Sequence, residues 1–419
     1  MGETKARPRG AFVWVWLPGR TEPVVAGRLE AVADRYVFTY GRSYLMRPGA
    51  VALYSPELPL RQGVIEPRLG LPLAGALRDA SPDSWGRRVI LARRFGHLTE
   101  NSATADLDEL TYMLSSGSDR IGALDFQVSS SDYVPRNETA PLAELIGAAE
   151  AFEEGRQLSP ALEEALTRGT SIGGARPKVT VHDDQGRHLI AKLSSSNDYY
   201  PVVKAEAVGM ILARRAGLDV AAVEVSRCAG RDVLLVERFD RTQVPGQRRM
   251  MVSALTILGL DELSARHAGY PDIADSVRKS FRDAQATLRE LFSRMVFNVC
   301  VGNTDDHLRN HAAFWDGAEL TLTPAYDLCP QTRSGHTANQ ALDITRIPGE
   351  RASQLRLCLK AAGEFQLRPE QATELISSHI ETITREWDDA ADEAQLTSAE
   401  RRQLWGRQIL NPYIHFDEA

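Results

Sequence analysis

Asp305 and Asn310 stand five residues apart in the segment Val301-Gly302-Asn303-Thr304-Asp305-Asp306-His307-Leu308-Arg309-Asn310-His311. A carboxylate and an amide at that interval suit the transfer of a phosphoryl group to a hydroxyl. The carboxylate takes the proton of the attacking hydroxyl, and the amide oxygen is a neutral ligand for magnesium. A second acidic segment, Pro324-Ala325-Tyr326-Asp327-Leu328, follows the pair Asp316-Gly317, which favours a tight hairpin turn. Such a hairpin returns the chain to the first segment, where Asp327 could supply the carboxylate that holds metal ions against nucleotide phosphates. Taken singly, Asp305 and Asp306 read as helix caps and Asn310 as a surface residue. Two acidic segments joined by a hairpin favour a site instead.

Three other segments fit the same chemistry. Thr170-Ser171-Ile172-Gly173-Gly174-Ala175-Arg176-Pro177-Lys178 runs into the apolar stretch Val-Thr-Val. Glycines let backbone N–H groups approach and cradle phosphate. A strand rather than a helix follows, and no Gly-Lys-Ser/Thr is present, so this is not a Walker loop. A Gly-rich loop beside a β-hairpin is the protein-kinase arrangement; a plain turn is the simpler reading of Gly-Gly alone. Lys192 sits in the apolar strand-like run Arg187–Leu193 and needs an anion, either nucleotide phosphates or Glu206 on the following helix. The alternative is a solvent-facing lysine on an edge strand. Val236-Glu237-Arg238-Phe239-Asp240 ends another strand, where extended backbone can pair with an adenine edge or simply close the strand.

These segments need a scaffold, and 419 residues suffice for two sizeable domains or one two-lobed unit. With 43% hydrophobic and 25% charged residues, the composition is that of a globular protein with a large core. A net charge of -7 argues against independent nucleic-acid binding, which needs a basic face. Cys228, Cys300, Cys329 and Cys358 have neither zinc-site nor disulfide-framework spacing and suit a reducing cytoplasm. No signal-peptide core, myristoylation signal or run of about 18 apolar residues is present, so no membrane association is expected.

Along the chain, Phe12–Leu17, Val24–Leu29 and Tyr36–Tyr40 read as strands separated by turn residues. Asp83 is placed to cap a helix over 81–95. Residues 129–141 are polar, broken by Pro, and read as a linker, followed by a helix carrying Leu142, Leu145, Ile146 and Ala149. Residues 170–240 are strand-rich, with hairpin turns at Asp183–Gly186 and Ala229–Arg231 and a helix from about Val203 ending at Gly217. From about 253 the chain is mainly helical, interrupted by one hairpin.

Together, SIGGARPK, HLIAKL, LLVERFDR, VGNTDDHLRNH and LTPAYDL, in that order, resemble the HipA family of toxin kinases, and SPDSWGRR resembles its N-terminal subdomain. The likeness runs from about residue 10 to 415, and VGNTDDHLRNH followed by PAYDL is its most specific part. The resemblance implies an α+β, two-lobed protein-kinase-like fold. An extra N-terminal β subdomain would span 1–135, an N-lobe with the Gly-rich loop 136–252, and an all-helical C-terminal lobe 253–419. It implies Asp305 as catalytic base, Asn310 and Asp327 as magnesium ligands, and Gly173, Gly174, Ala175, Arg176, Pro177 and Lys178 as the phosphate loop. It also implies Lys192 on the phosphates of ATP, Glu237 and Phe239 at the adenine, His307 near the nucleotide, and Ser171 as an autophosphorylation site. Its members act on proteins such as aminoacyl-tRNA synthetases and are neutralised by a HipB-type helix-turn-helix antitoxin, through which alone they reach DNA. One departure stands out: Met251–Thr256, just beyond the strand end at Asp240, carries no carboxylate where some members have acidic and amide residues.

Two other classes fit parts of the sequence. Asp305, Asp306, His307, His311 and His336 could form the metal cluster of a hydrolase, which leaves the Gly-rich loop, Lys192 and Asp327 unexplained. A non-catalytic co-repressor would not need Asp305, Asn310 and Asp327 together.

Overall fold

The computed structural model describes residues 8–95, 107–137, 140–169, 176–195, 198–333, 335 and 337–415. The three aromatic and β-branched runs near the N-terminus form β1 (Gly10–Val15), β2 (Val24–Val32) and β3 (Arg35–Tyr40). Helix α1 (Arg42–Leu45) and strand β4 (Val64–Ile65) follow, then α2 (Gly75–Arg78), α3 (Ser84–Phe95), α4 (Glu109–Ser115) and β5 (Leu124–Gln127). The five strands make one antiparallel sheet in the order β4-β3-β2-β1-β5. Asp83 caps α3, its carboxylate accepting the Gly86 N–H at 2.9 Å.

The next lobe begins with α5 (Leu142–Glu153) and α6 (Pro160–Gly169). Strands β6 (Lys178–His182) and β7 (His188–Leu193), helix α7 (Val202–Arg215), and strands β8 (Val223–Cys228) and β9 (Arg231–Glu237) complete it. The sheet is antiparallel in the order β6-β7-β9-β8. Its two faces enter different cores because successive strand residues point opposite ways. Val179, Ala191, Leu193 and Val233 pack with Leu145, Ile146 and Leu166, and with Trp85 of α3. Val225, Leu234 and Val236 join α7 and the large core that runs on into the remainder of the chain. Helix α7 is buried from Val202 through Ala213, so its apolar residues need no single stripe, and the left-handed Gly217 lies just past its end.

The C-terminal part holds β10 (Met251–Ser253), α8 (Ala254–Leu258), α9 (Tyr270–Ser280), α10 (Ala284–Val301), β11 (Ala312–Trp315) and β12 (Leu320–Leu322). Helices α11 (Leu355–Ala361), α12 (Pro369–Glu393) and α13 (Ser398–Leu404) follow. This lobe is not wholly helical, as the resemblance implied. The hairpin legible at Asp316-Gly317 pairs with β10, giving a three-stranded sheet β10-β11-β12. Asp316 Oδ1 accepts the Ala318 and Glu319 N–H groups, each at 2.9 Å, which fixes the turn. No described helix is long and apolar enough to cross a membrane.

Candidate active site

Strand β7 presents Lys192 and helix α7 presents Glu206, a pairing set by one strand, a short connection and little more than one helical turn. Lys192 Nζ lies 2.5 Å from Glu206 Oε1 and 2.5 Å from Asp327 Oδ1. Burial works against the lysine's charge, but the Asp327 and Glu206 carboxylates outweigh it and hold the ammonium well above its usual range. Burial likewise pushes Asp327 toward its neutral form, yet Lys192, then Lys178 and His307, bring it down to about 2. Glu206 is deeply buried, and burial raises its pKa despite Lys192.

Asp327 reaches Lys192 because two segments close on each other. Ala325 exchanges backbone hydrogen bonds with the stretch after α7, donating to Asp219 at 2.7 Å and accepting from Ala221 at 2.9 Å. Gly209 of α7 faces the Leu328 carbonyl so closely that a Cβ there would stand 2.2 Å from it, so only glycine lets the helix approach. Asp327 adopts a left-handed backbone at φ 62°, a conformation uncommon outside glycine and typical of functional turns. Its side chain keeps 41% of its surface accessible, open to a ligand.

The loop bearing Asp305 leaves α10 through Gly302, which caps the helix in the left-handed region at φ 70°. Asn303 follows, donating through Nδ2 to Asn298 Oδ1 at 2.9 Å and to the Asp327 carbonyl at 3.4 Å. Asp305 and His307 are exposed. Asn310 is buried and donates through Nδ2 to the Asp305 carbonyl at 3.3 Å, which leaves its amide oxygen as a ligand atom. Desolvation raises the Asp305 carboxyl, His307 lowers it, and Asp327 and Asp306 raise it again.

Asp306 and His311 belong to a different arrangement. Asp306 is buried, accepts from the Tyr270 hydroxyl and lies 2.8 Å from His311 Nε2. Asn298 Nδ2 donates to the same tyrosine at 3.2 Å. Burial disfavours the Asp306 charge, but His311 and Tyr270 more than offset it and hold the carboxyl low. The hydrolase cluster therefore does not form: Asp306 and His311 bond each other inside the protein, while Asp305 and His307 face outward. Among the described residues, three such ligand atoms converge only at Asp119, His182 and His188. His336 lies outside the described residues.

Of the Gly-rich loop, Ser171, Gly173, Gly174 and Ala175 lie outside the described residues. Arg176 pairs with Asp198 at 2.6 Å, and the Pro177 carbonyl accepts from the Leu193 N–H at 3.0 Å. Lys178 is buried, stands opposite Lys192 in the β6–β7 register, and lies 3.4 Å from Asp83 Oδ2. Burial lifts Asp83 to about 6 against the pull of Lys178. The N-terminal motif SPDSWGRR thus reaches the lysine that ends the Gly-rich loop.

Glu237 is the last residue of β9, and Phe239 lies two residues beyond it. The Glu237 N–H donates to Ala222 and the Arg238 N–H to His188, each at 2.9 Å, so neither is free to read a base. The Phe239 ring packs 5.6 Å from Tyr326 and 5.9 Å from Phe314, an aromatic group next to Asp327. Sequence reasoning missed what anchors this strand end. Arg238 donates to Asp119 at 2.9 Å and Asp240 at 2.8 Å, Arg241 donates to the same two carboxylates, and Asp240 also accepts the Gly122 N–H at 2.7 Å. Arg238 and Asp240 are two apart in the turn that follows β9 and bond each other directly, which is the local signal for the pair. The carboxylate absent from Met251–Thr256 arrives from elsewhere: Asp79 accepts the Ser253 N–H at 2.7 Å and its hydroxyl at 3.0 Å.

The sequence matches the HipA-like C-terminal domain over residues 170–387 and the HipA N-terminal domain over residues 15–127. The serine/threonine-protein kinase toxin HipA of Shewanella oneidensis is 27% identical over 183 residues, covering 38% of this chain and 42% of that protein. The chain thus spans less than half the length of that relative. The protein Y4mE of Sinorhizobium fredii is 26% identical over 410 residues, covering 90% of this chain and 92% of that protein. The solved complex of the Shewanella oneidensis toxin–antitoxin proteins HipA and HipB with operator DNA includes a similar fold. Its TM-score is 0.66 at 17% identity, covering 97% of this chain and 100% of that one.

Proposed function

The chain belongs to the HipA family, and from that premise we propose that it is a serine/threonine protein kinase, the toxin of a toxin–antitoxin module, using ATP and magnesium. The observation that carries this reading is Lys192 held between Glu206 and Asp327 at 2.5 Å from each. A strand lysine fixed by a helix glutamate is how such enzymes orient nucleotide phosphates.

The residues fit the implied group. Asp327 and the Asn310 amide oxygen offer oxygen ligands of the type magnesium prefers. Magnesium, when bound, supplies the positive charge that offsets charge growing on the transferred group. Lys192 orients the phosphates and Glu206 fixes Lys192. Asp305, exposed at the mouth of the loop, accepts the proton of the attacking hydroxyl. The buried Asp306–His311–Tyr270 network holds the loop beneath it. We assign Gly173, Gly174, Ala175, Arg176, Pro177 and Lys178 to binding the nucleotide phosphates. Phe239 and Glu237 lie toward the adenine, and His307 lies beside the nucleotide.

The protein substrate is a translation component of the aminoacyl-tRNA synthetase kind. The partner is a HipB-like helix-turn-helix protein, through which alone the acidic chain reaches DNA, and the setting is cytoplasmic. Self-modification of Ser171 would place negative charge beside the phosphate loop and reduce ATP binding. Incubation with radiolabelled ATP and magnesium in a bacterial lysate, followed by mass spectrometry, tests the reading. One labelled protein is the expected result, and no magnesium-dependent labelling overturns it.

A further inference from the structure

Arg333 lies six residues beyond Asp327, in the segment that leaves the metal-binding turn. Its Nε, Nη1 and Nη2 are all buried, and none has a hydrogen-bond partner. Arg333 as a whole is half-buried, and the arginines that are buried throughout behave differently. Arg120 bonds Asp125 and two carbonyls, Arg238 bonds Asp119 and Asp240, and Arg294 bonds Glu290 and two carbonyls. A guanidinium has five donors, no acceptor, and stays protonated, so burying one unpaired is costly unless something anionic is to meet it.

The surroundings are those of a ligand site. Arg333 lines a cavity of about 630 Å³ together with Tyr199, Gln403, Arg407, Asn411 and Tyr413. The cavity adjoins the catalytic loop: Arg333 Nη2 would stand 3.2 Å from a Cβ placed on Gly302, and the Gln331 N–H donates to the Gly302 carbonyl at 2.9 Å. At the rim Tyr199 is 97% exposed, and Arg407 is exposed as well. Two cations set among phenols and amides match one anionic group on a peptide whose backbone meets the neutral hydrogen-bonding groups. A nucleic-acid strand would need a row of cations, on a chain whose net charge is -7.

We propose that Arg333 is the anion-binding residue of this cavity and that the cavity holds a carboxylate or phosphate side chain of the protein substrate, close to the acceptor hydroxyl. This deepens the kinase reading and rests on it. The planar fork of Arg333 would bind either oxyanion through paired N–H donors, a geometry that lysine or a neutral amide does not supply.

The test measures binding rather than transfer, so it fails separately from the kinase reading. Fluorescence anisotropy of the full chain without nucleotide compares a labelled serine peptide carrying glutamate or phosphoserine at successive flanking positions with its neutral counterpart. The wild type is expected to bind one anionic form about tenfold more tightly or better, as one hydrogen-bonded charge pair warrants. Inorganic phosphate is expected to compete and to raise the melting temperature. Arg333→Met is expected to lose both effects while melting no lower than wild type, because it removes an unpaired buried charge. Equal binding of anionic and neutral peptides by the wild type overturns the proposal, as does an anionic preference kept by Arg333→Met. A markedly lower melting point or failure to fold of that variant overturns it too, by making Arg333 structural. Tighter, Arg333-dependent binding of a mixed-sequence RNA oligonucleotide overturns the assignment to a protein. Phosphate binding unaccompanied by any peptide preference means an adventitious ion only, and also overturns it.

Discussion

Lys192 Nζ and Asp327 Oδ1 meet at 2.5 Å across 135 residues of sequence, and Glu206 closes on the same ammonium from α7. Three charges from three elements define one point in the cleft. Asp305, Asn310 and Phe239 are arranged around the turn that carries Asp327.

Removing Lys192 should cost stability as well as function. Lys192→Met leaves Glu206 buried beside Asp327 without its counter-charge, a loss of roughly 3–5 kcal/mol for a broken buried pair. Adding Glu206→Gln should recover part of that stability and none of the transfer activity. Urea denaturation of the single and double variants checks this; an unchanged midpoint for Lys192→Met contradicts it.

Asp327→Ala should weaken magnesium–ATP binding more than Asp305→Asn does. The first loses the carboxylate that touches Lys192 and faces the cleft, while the second loses only a proton acceptor. Calorimetric titration of both variants gives the order directly, and the reverse order contradicts the assignment.

Asp306→Asn should behave as a structural variant. It replaces a buried carboxylate that Tyr270 and His311 engage, a loss of about 1–3 kcal/mol or somewhat more because the group is charged. Magnesium–nucleotide affinity should stay near wild type. Lost metal binding without lost stability would revive the hydrolase cluster.

Much of this was legible locally. The hairpins at Asp183–Gly186, Ala229–Arg231 and Asp316-Gly317 follow from turn chemistry, and the Asp83 cap of α3 from its position ahead of an apolar run. Lys192 and Glu206 were legible as a pair because strand and helix adjoin in sequence. Asp306 and His311 were not assignable, since only burial separates a metal ligand from an internal ion pair. Asp79 on Ser253 and Asp119 on Arg238 join segments 174 and 119 residues apart, a tertiary relation that no periodicity encodes. Arg333 reads as an ordinary loop arginine until its buried, unpartnered nitrogens are seen.

His379 gives the fold a pH dependence. It is buried with Nε2 2.6 Å from Ser293 Oγ, and burial pulls its pKa from 6.5 down to about 4. The unfolded chain therefore binds the proton first, and stability falls as pH falls from 6.5 toward 4. The full loss is roughly 3 kcal/mol. Unfolding free energies at about pH 7 and about pH 4.5 should differ more in wild type than in His379→Gln, by about 2 kcal/mol. Equal differences contradict the assignment.

Phosphoryl transfer with Asp305 as proton acceptor is open to direct measurement. Purified wild type and Asp305→Asn, each with radiolabelled ATP and magnesium, should be compared on one lysate fraction, with ATP binding measured alongside. Near-equal ATP binding is expected, with transfer reduced about a hundredfold or more in the variant. Equal transfer by the two proteins would contradict it.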